Sequence, residues 1–278
     1  MVVKMEHLVD KIATTFSMKM PKEPPSLALI IPTYNCFERL GQTLESVKRQ
    51  EYPNLELIII DANSTDRTLQ VINNYSSIVT RIYSVSTYHQ PEMLNRGIAL
   101  ASSSYITILN PGSFYITNFA LQAFAECAVK TNFPELISGG AIQRELRRRA
   151  MMFNAKLSAT LLSLGKMPAP LVTCWFRSDF FETVGKIDTR YNYRYALDLF
   201  CRIEAVQQKR VEQLDRFFVD YDYGVFTYKK GLRYSLETWQ VLKRNFGLKK
   251  AVAWFFTLNH IELCRFVLTY LKNQIFKK

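Results

Sequence analysis

The chain has 278 residues, 48% of them apolar, and carries 36 Lys plus Arg against 24 Asp plus Glu, a formal net charge of +12. That length and apolar share can bury one large core, which excludes a disordered chain and makes a single catalytic domain the simplest count. Cys36, Cys127, Cys174, Cys201 and Cys264 are odd in number and never spaced Cys-x-x-Cys, which fits a reducing compartment, and His7, His89 and His260 add no zinc-ligand spacing, which argues against a zinc site.

Residues 1–26 lack a long apolar core and end in the Pro-rich "MPKEPPS". They read as an arm and linker instead of a secretory leader, with Leu8, Val9, Ile12 and Phe16 at the spacing of one short amphipathic helix. Leu27 to Ile31 is an apolar run ending in Pro32-Thr33-Tyr34-Asn35. Glu38 to Gln50 then places Leu40, Leu44 and Val47 at helical spacing, and Leu57 to Ile60 is a second apolar run ending in Asp61. The pattern predicts strand, helix, strand, with both strands covered on two faces. Asn63, Ser64, Thr65 and Asp66 supply turn and cap chemistry. On position alone Asp61 has two readings: an acceptor for a nucleobase or ribose at a strand's carboxyl end, or a cap for the next helix.

The ordered segments "LALIIPTYNCFERLGQTLESVKRQEYPNLELIIIDANSTDRT", "QPEMLNRGIALASSSYITILNPG" and "VGKIDTRYNYRYALDLFCRI" resemble the family 2 inverting glycosyltransferases over residues 27–230. The resemblance implies an α/β glycosyltransferase-A (Rossmann-like) mixed sheet flanked by helices. Around it, residues 1–26 are expected to be the arm and 231–278 a basic amphipathic helical extension. Matched position by position, Pro32, Thr33 and Tyr34 would frame the nucleotide base and Asp61 would hold its polar edge. Glu92, where the family usually has Asp, would contact the nucleotide, and Asn95 and Arg96 would lie at the donor, Arg96 near the diphosphate. Gly97 is expected to serve a backbone turn. Asp198 matches the acid that deprotonates the acceptor, although Arg194 and Arg202 stand four residues away and could pair with it. Asp188 matches a structural turn, and Leu171 and Val172 replace a His-Gln pair common in the family. Where the family places its Asp-x-Asp metal motif, this chain has Asn110-Pro111-Gly112-Ser113, with no carboxylate from Tyr105 to Ala125. No cofactor is certain: Mg²⁺ or Mn²⁺ would have neutral oxygens only and bind weakly. Cationic side chains such as Arg96, Lys229, Lys230 or Arg233 would then stabilise the leaving group, with the Arg144 to Arg149 run as a closing loop.

Eleven basic residues lie between Lys229 and Lys278 against Glu237 and Glu262, which suggests an anionic partner surface. In the same tail Phe256, Leu263, Val267, Tyr270 and Leu271 share one helical face. Mid-segment charges, at about 2.5 to 3.5 kcal/mol each at a bilayer centre, argue against a spanning helix. An interfacial helix on an anionic membrane and a helix packed on the domain both fit. Nucleic acid ranks below the membrane because no zinc finger or RNA-recognition signature is present, and no G-x-G-x-x-G follows the first strand to support a dinucleotide oxidoreductase. The expectation is transfer of a sugar, from a UDP-sugar, to a saccharide or lipid-linked saccharide acceptor with inversion, by a cytoplasmic protein peripheral on the inner membrane face. The alternative is a catalytically degenerate nucleotide-sugar-binding scaffold of a membrane-associated polysaccharide assembly.

Overall fold

The computed structural model describes residues 20–144, 150–221 and 228–256. The arm up to residue 19, residues 145–149 of the arginine run, the segment around Gly224 and the apolar face from Leu263 to Leu271 lie outside the described residues.

The two apolar runs become β1 (Leu27–Thr33) and β2 (Leu55–Asp61), paired in parallel from Leu27 opposite Leu55 to Thr33 opposite Asp61. α1 (Phe37–Lys48) connects them and buries Leu40, Leu44 and Val47. After α2 (Thr68–Asn74) come β3 (Arg81–Ser84), α3 (Gln90–Leu100) and β4 (Tyr105–Ile108). β3 pairs with the outer side of β2, whereas β4 pairs with the opposite side of β1. The winding therefore reverses between β1 and β4, a switch point where open sheets leave a crevice at the strands' carboxyl ends.

Uninterrupted apolar strands need cover on both faces, and they have it. Ile30, Ile58, Ile60 and Ile106 pack with Met93 and Leu94 of α3, while Leu29, Ile31, Leu57 and Ile59 pack with Leu40 and Leu44 of α1. Gly97 lies inside α3, not in the turn expected for it. A Cβ there would stand 2.5 Å from Ile30 Cγ2, so glycine is what lets α3 approach β1.

The chain continues through β5 (Phe114–Tyr115), α4 (Ala120–Lys130), β6 (Leu136–Arg144), β7 (Ala150–Phe153) and α5 (Ala159–Ser163). A 3-10 turn (Leu171–Thr173), β8 (Cys174–Arg177), α6 (Phe180–Val184), α7 (Tyr195–Ala205), β9 (Val211–Tyr221) and α8 (Tyr228–Phe255) complete it. Among the described residues the strands form one mixed sheet in the order β3-β2-β1-β4-β8-β6-β9-β5, with β7 on β6. Leu171 and Val172 are buried: apolar side chains at these positions fill the core.

α8 breaks at Gly247, whose φ is 81°. Its Val241 joins the core that holds Leu197 and Phe200 of α7, and Leu242, Ala251 and Trp254 make a small cluster beside it. The boundary expected after residue 230 thus falls inside a helix, and the described part of the extension packs on the sheet domain. No described helix is long and apolar enough to cross a membrane.

Candidate active site

A cleft of about 560 Å³ opens at the switch point. Pro32 from the end of β1 and Asn110 and Pro111 from the end of β4 line it, with Tyr34, Cys36 and Arg39 from the start of α1. His89, Gln90 and Pro91 come from the start of α3, Tyr193 and Tyr195 from the start of α7, and Lys230 and Tyr234 from the first turns of α8. Four helices thus meet the cleft by their amino-terminal ends, where the helix dipole favours negative charge; the leading N–H groups of α1 are taken by Ser64, Thr68 and Asp66, and those before α7 by Glu237.

The loops after β1 and β2 are joined into one rim. Asn35 takes a positive φ of 42°; its N–H donates to Ser64 Oγ at 3.0 Å and its Oδ1 accepts from the Thr65 N–H at 2.9 Å. Asp61 is buried beneath this rim. Its carboxylate accepts from Thr33 Oγ1 and the Ser64 N–H, each at 2.8 Å, and from Ser64 Oγ at 2.6 Å. These three contacts fill most of the carboxylate's acceptor capacity, so Asp61 and Thr33 shape the loop from below while Pro32 and Tyr34 reach the cleft. Tyr34 stacks on Tyr88 with ring centroids 5.4 Å apart and planes 22° from parallel, which presents aromatic faces at the mouth. Burial pushes the Tyr88 phenol above its ordinary range, keeping it protonated and able to donate.

The α3 residues divide. Asn110 Oδ1 accepts from Gln90 Nε2 at 2.8 Å on the cleft wall. Asn95 instead braces α3: its Nδ2 donates to the Ile187 carbonyl at 2.8 Å and its Oδ1 accepts from the Ile187 N–H at 2.9 Å. Arg96 lies over the Tyr83 ring at 4.2 Å and donates to its hydroxyl, at the exposed β3 edge. Glu92 is exposed, with Oε1 3.2 Å from His89 Nδ1. His89 Nε2 is 2.8 Å from the side-chain amide of Asn192, which makes His89 an imidazole on the cleft wall held at Nε2, with Nδ1 facing Glu92 without a hydrogen bond.

Asp198 does not reach the cleft. It is 0% exposed in α7, accepts from Arg202 Nε at 2.8 Å through Oδ2, and has Oδ1 3.7 Å from Arg244. Of the two partners four residues away, Arg202 takes the pair. Arg202 also donates to the carbonyls of Val184 and, at 3.2 Å, Gly185. Asp188 accepts from Arg190 and from Arg244 Nη1 at 2.8 Å, and the Arg190 hydrogen bonds hold it well below the usual carboxylate range against the opposing effect of burial. These pairs tie α7 to α8. Glu237 of α8 adds a second tie, accepting the backbone N–H groups of Asn192, Tyr193 and Arg194 at 3.1, 2.7 and 3.0 Å. Sequence reasoning missed Arg39, Tyr88, His89 and Glu237 as cleft-building residues; only their convergence in space marks them.

Among the described residues the donor set does not fit a divalent cation. Among the described residues no group of three or more His, Cys, Asp or Glu side chains is arranged to hold a metal. The described residues lining the cleft include no Asp or Glu, and Asn110 Oδ1 is already engaged by Gln90. Mg²⁺ and Mn²⁺ are hard cations that take carboxylate and other oxygen ligands.

Residues 28–126 match the family described as glycosyl transferase family 2. An uncharacterized glycosyltransferase of Haemophilus influenzae is 36% identical over 101 residues, 35% of this chain and 40% of that one. The UDP-Glc:alpha-D-GlcNAc-diphosphoundecaprenol beta-1,3-glucosyltransferase WfaP of Escherichia coli is 31% identical over 94 residues, 33% of this chain and 37% of that one. The chain thus spans about two fifths of the length of these relatives. Among solved structures, a mannosyltransferase from Pyrobaculum calidifontis in complex with GDP-Man and Mn²⁺ superposes with a TM-score of 0.62 at 15% identity, over 90% of this chain and 73% of that one. At that identity the likeness is one of fold, the glycosyltransferase-A sheet with flanking helices.

Proposed function

We propose, from the premise that residues 28–126 carry a glycosyl transferase family 2 domain, that this chain transfers a sugar from a nucleotide-sugar donor to a saccharide or lipid-linked saccharide hydroxyl. The observation that supports this most is the cleft at the β1–β4 switch point, with an aromatic mouth and helix amino termini around it. The base lies against Tyr34, and the diphosphate lies among the helix ends. A UDP-sugar is the donor favoured by the name of the Escherichia coli relative.

The acceptor oxygen attacks the anomeric carbon in line as the bond to the β-phosphate oxygen breaks, with inversion. The proton goes to His89 Nε2, which the acceptor hydroxyl reaches by displacing the Asn192 amide while Nδ1 faces the Glu92 carboxylate, and Asp198 keeps the wall that carries the acceptor in place. General base catalysis of this kind contributes about 10²- to 10⁴-fold. His89→Gln should therefore lower kcat by a factor in that range with an unchanged melting temperature, read as UDP release from UDP-sugars in the presence of a polyprenyl-diphosphate saccharide. Unaltered turnover would remove His89 from the role.

A nucleotide-sugar-binding protein without turnover is the second reading, favoured by the burial of Asp198; it predicts UDP binding with no transfer. The chain works as a cytoplasmic, peripheral protein on an anionic membrane face. Exposed Leu248, Val252, Phe255 and Phe256 beside Lys249 and Lys250 support that placement.

A further inference from the structure

We infer that Asn192 and Arg233 are positioning residues that hold His89 in the Nδ1–H tautomer and keep its Nε2 lone pair for the acceptor hydroxyl, an inference that rests on the transferase reading of the cleft. A neutral imidazole is a base only at the nitrogen without a proton, and the groups facing its two nitrogens decide which one that is. Around His89 those groups form a chain of fixed polarity. It begins at buried Glu237 in α8, whose Oε1 accepts from the Asn192 N–H at 3.1 Å and from Arg233 Nε at 3.2 Å. The Arg233 guanidinium also reaches one atom of the Asn192 side-chain amide, through Nε and Nη1 at 3.2 Å and through Nη2.

An arginine side chain has donors and no acceptor, so the amide atom that faces it is Oδ1. Nδ2 then points the other way, 2.8 Å from His89 Nε2. An amide nitrogen can only donate, and Nε2 is therefore the acceptor. The ring proton is left on Nδ1, which faces Glu92 Oε1 at 3.2 Å. A proton on Nε2 would point at the amide hydrogens and set the Nδ1 lone pair against a carboxylate. The segment that carries Asn192 is held in place, because Glu237 also accepts the Tyr193 and Arg194 N–H groups at 2.7 and 3.0 Å.

When the acceptor hydroxyl displaces the amide, its O–H bond breaks, its proton joins the Nε2 lone pair and the oxygen's electron pair goes to the anomeric carbon. The imidazolium so formed has its Nδ1–H toward Glu92, so the positive charge that appears in the step meets a carboxylate.

The test is the two-bond nitrogen-15 to proton NMR spectrum of the full chain labelled in histidine, without ligand, at about pH 8.5, well above the ordinary histidine value of about 6.5. His7 and His260 are the other imidazoles, and the pattern lost in His89→Gln assigns the signal. His89 should show a protonated Nδ1 and an unprotonated Nε2, the reverse of the form a free histidine side chain prefers in water. The carboxylate of Asn192→Asp can only accept, so the proton should move to Nε2; kcat for UDP release should then fall about 10²-fold, with the donor KM within about twofold. Arg233→Met frees the amide to turn and should give both tautomers, and Arg233→Lys, which restores a donor, should bring back the Nδ1–H form. An Nε2–H tautomer in the unsubstituted chain would overturn the inference, as would an unaltered tautomer in both Asn192→Asp and Arg233→Met. Absence of UDP release from a chain with the expected tautomer would overturn the transferase reading and leave the hydrogen-bond chain as drawn.

Discussion

The two walls of the cleft are built by different chemistry. The β1–β2 side is held by neutral hydroxyls and amides around a single buried carboxylate, Asp61, whose partners Thr33 and Ser64 lie within its own loops. The α7–α8 side is held by ion pairs: Asp198 with Arg202, Asp188 with Arg190 and Arg244, and Glu237 with Arg233 and three backbone N–H groups. The first wall is a short-range rim that shapes a nucleotide pocket. The second is a long-range junction that brings a helix from the end of the chain to the same cleft. Carboxylates in both walls act as internal struts, and the described lining of the cleft between them is mostly aromatic and neutral polar.

The sharpest way to break that contrast is to remove a strut from each wall. Asp198→Ala leaves Arg202 without its buried partner, a change that costs about 3 to 5 kcal/mol. At roughly 2 to 4 °C per kcal/mol for a chain near this size, the melting temperature should fall by about 6 to 20 °C. A fall in turnover with an unaltered melting temperature would instead make Asp198 a reacting group. Tyr34→Ala touches only the rim. It should weaken UDP and uridine alike by about tenfold, on the scale of base–aromatic stacking, with little change in melting temperature; affinities for both probes unchanged from the unsubstituted chain would take the base away from Tyr34.

The smallest expected effect is in the pH dependence of the second wall. Asp188 has a folded-state pKa held below its unfolded value of about 3.9. Its ionised form therefore contributes stability above about pH 4, and that contribution is lost as pH falls through the lowered folded value. Asp188→Asn should flatten the decline of melting temperature below pH 4 relative to the unsubstituted chain; parallel curves would show that the Arg190 and Arg244 contacts carry no linkage.

The parallel half was legible because its signals are local. Leu57 to Ile60 read as a strand buried on two faces, and Leu40, Leu44 and Val47 as the inner stripe of a helix, and both are so in the structure. Asp198 was legible as a helical residue with a basic neighbour four residues on, but its burial depends on α8, which returns from residue 228 to cover it. The same return explains Lys230 and Tyr234 in the cleft. No spacing in the sequence ties Glu237 to Asn192, Tyr193 and Arg194. Asn95 and Arg96 matched a family segment, yet local geometry gave one to the Ile187 backbone and the other to Tyr83. Similarity of sequence carried the fold to these positions; the contacts each side chain makes were set by its own neighbours.

The most direct test of the central claim is a crystal structure of the full chain soaked with a UDP-sugar in the presence of EDTA. The account predicts the uracil against Tyr34, the diphosphate among the helix amino-terminal ends around the cleft, and Asp61 still bound to Thr33 and Ser64. Nucleotide bound elsewhere on the chain, or an empty cleft at a donor concentration that saturates binding in solution, would contradict it.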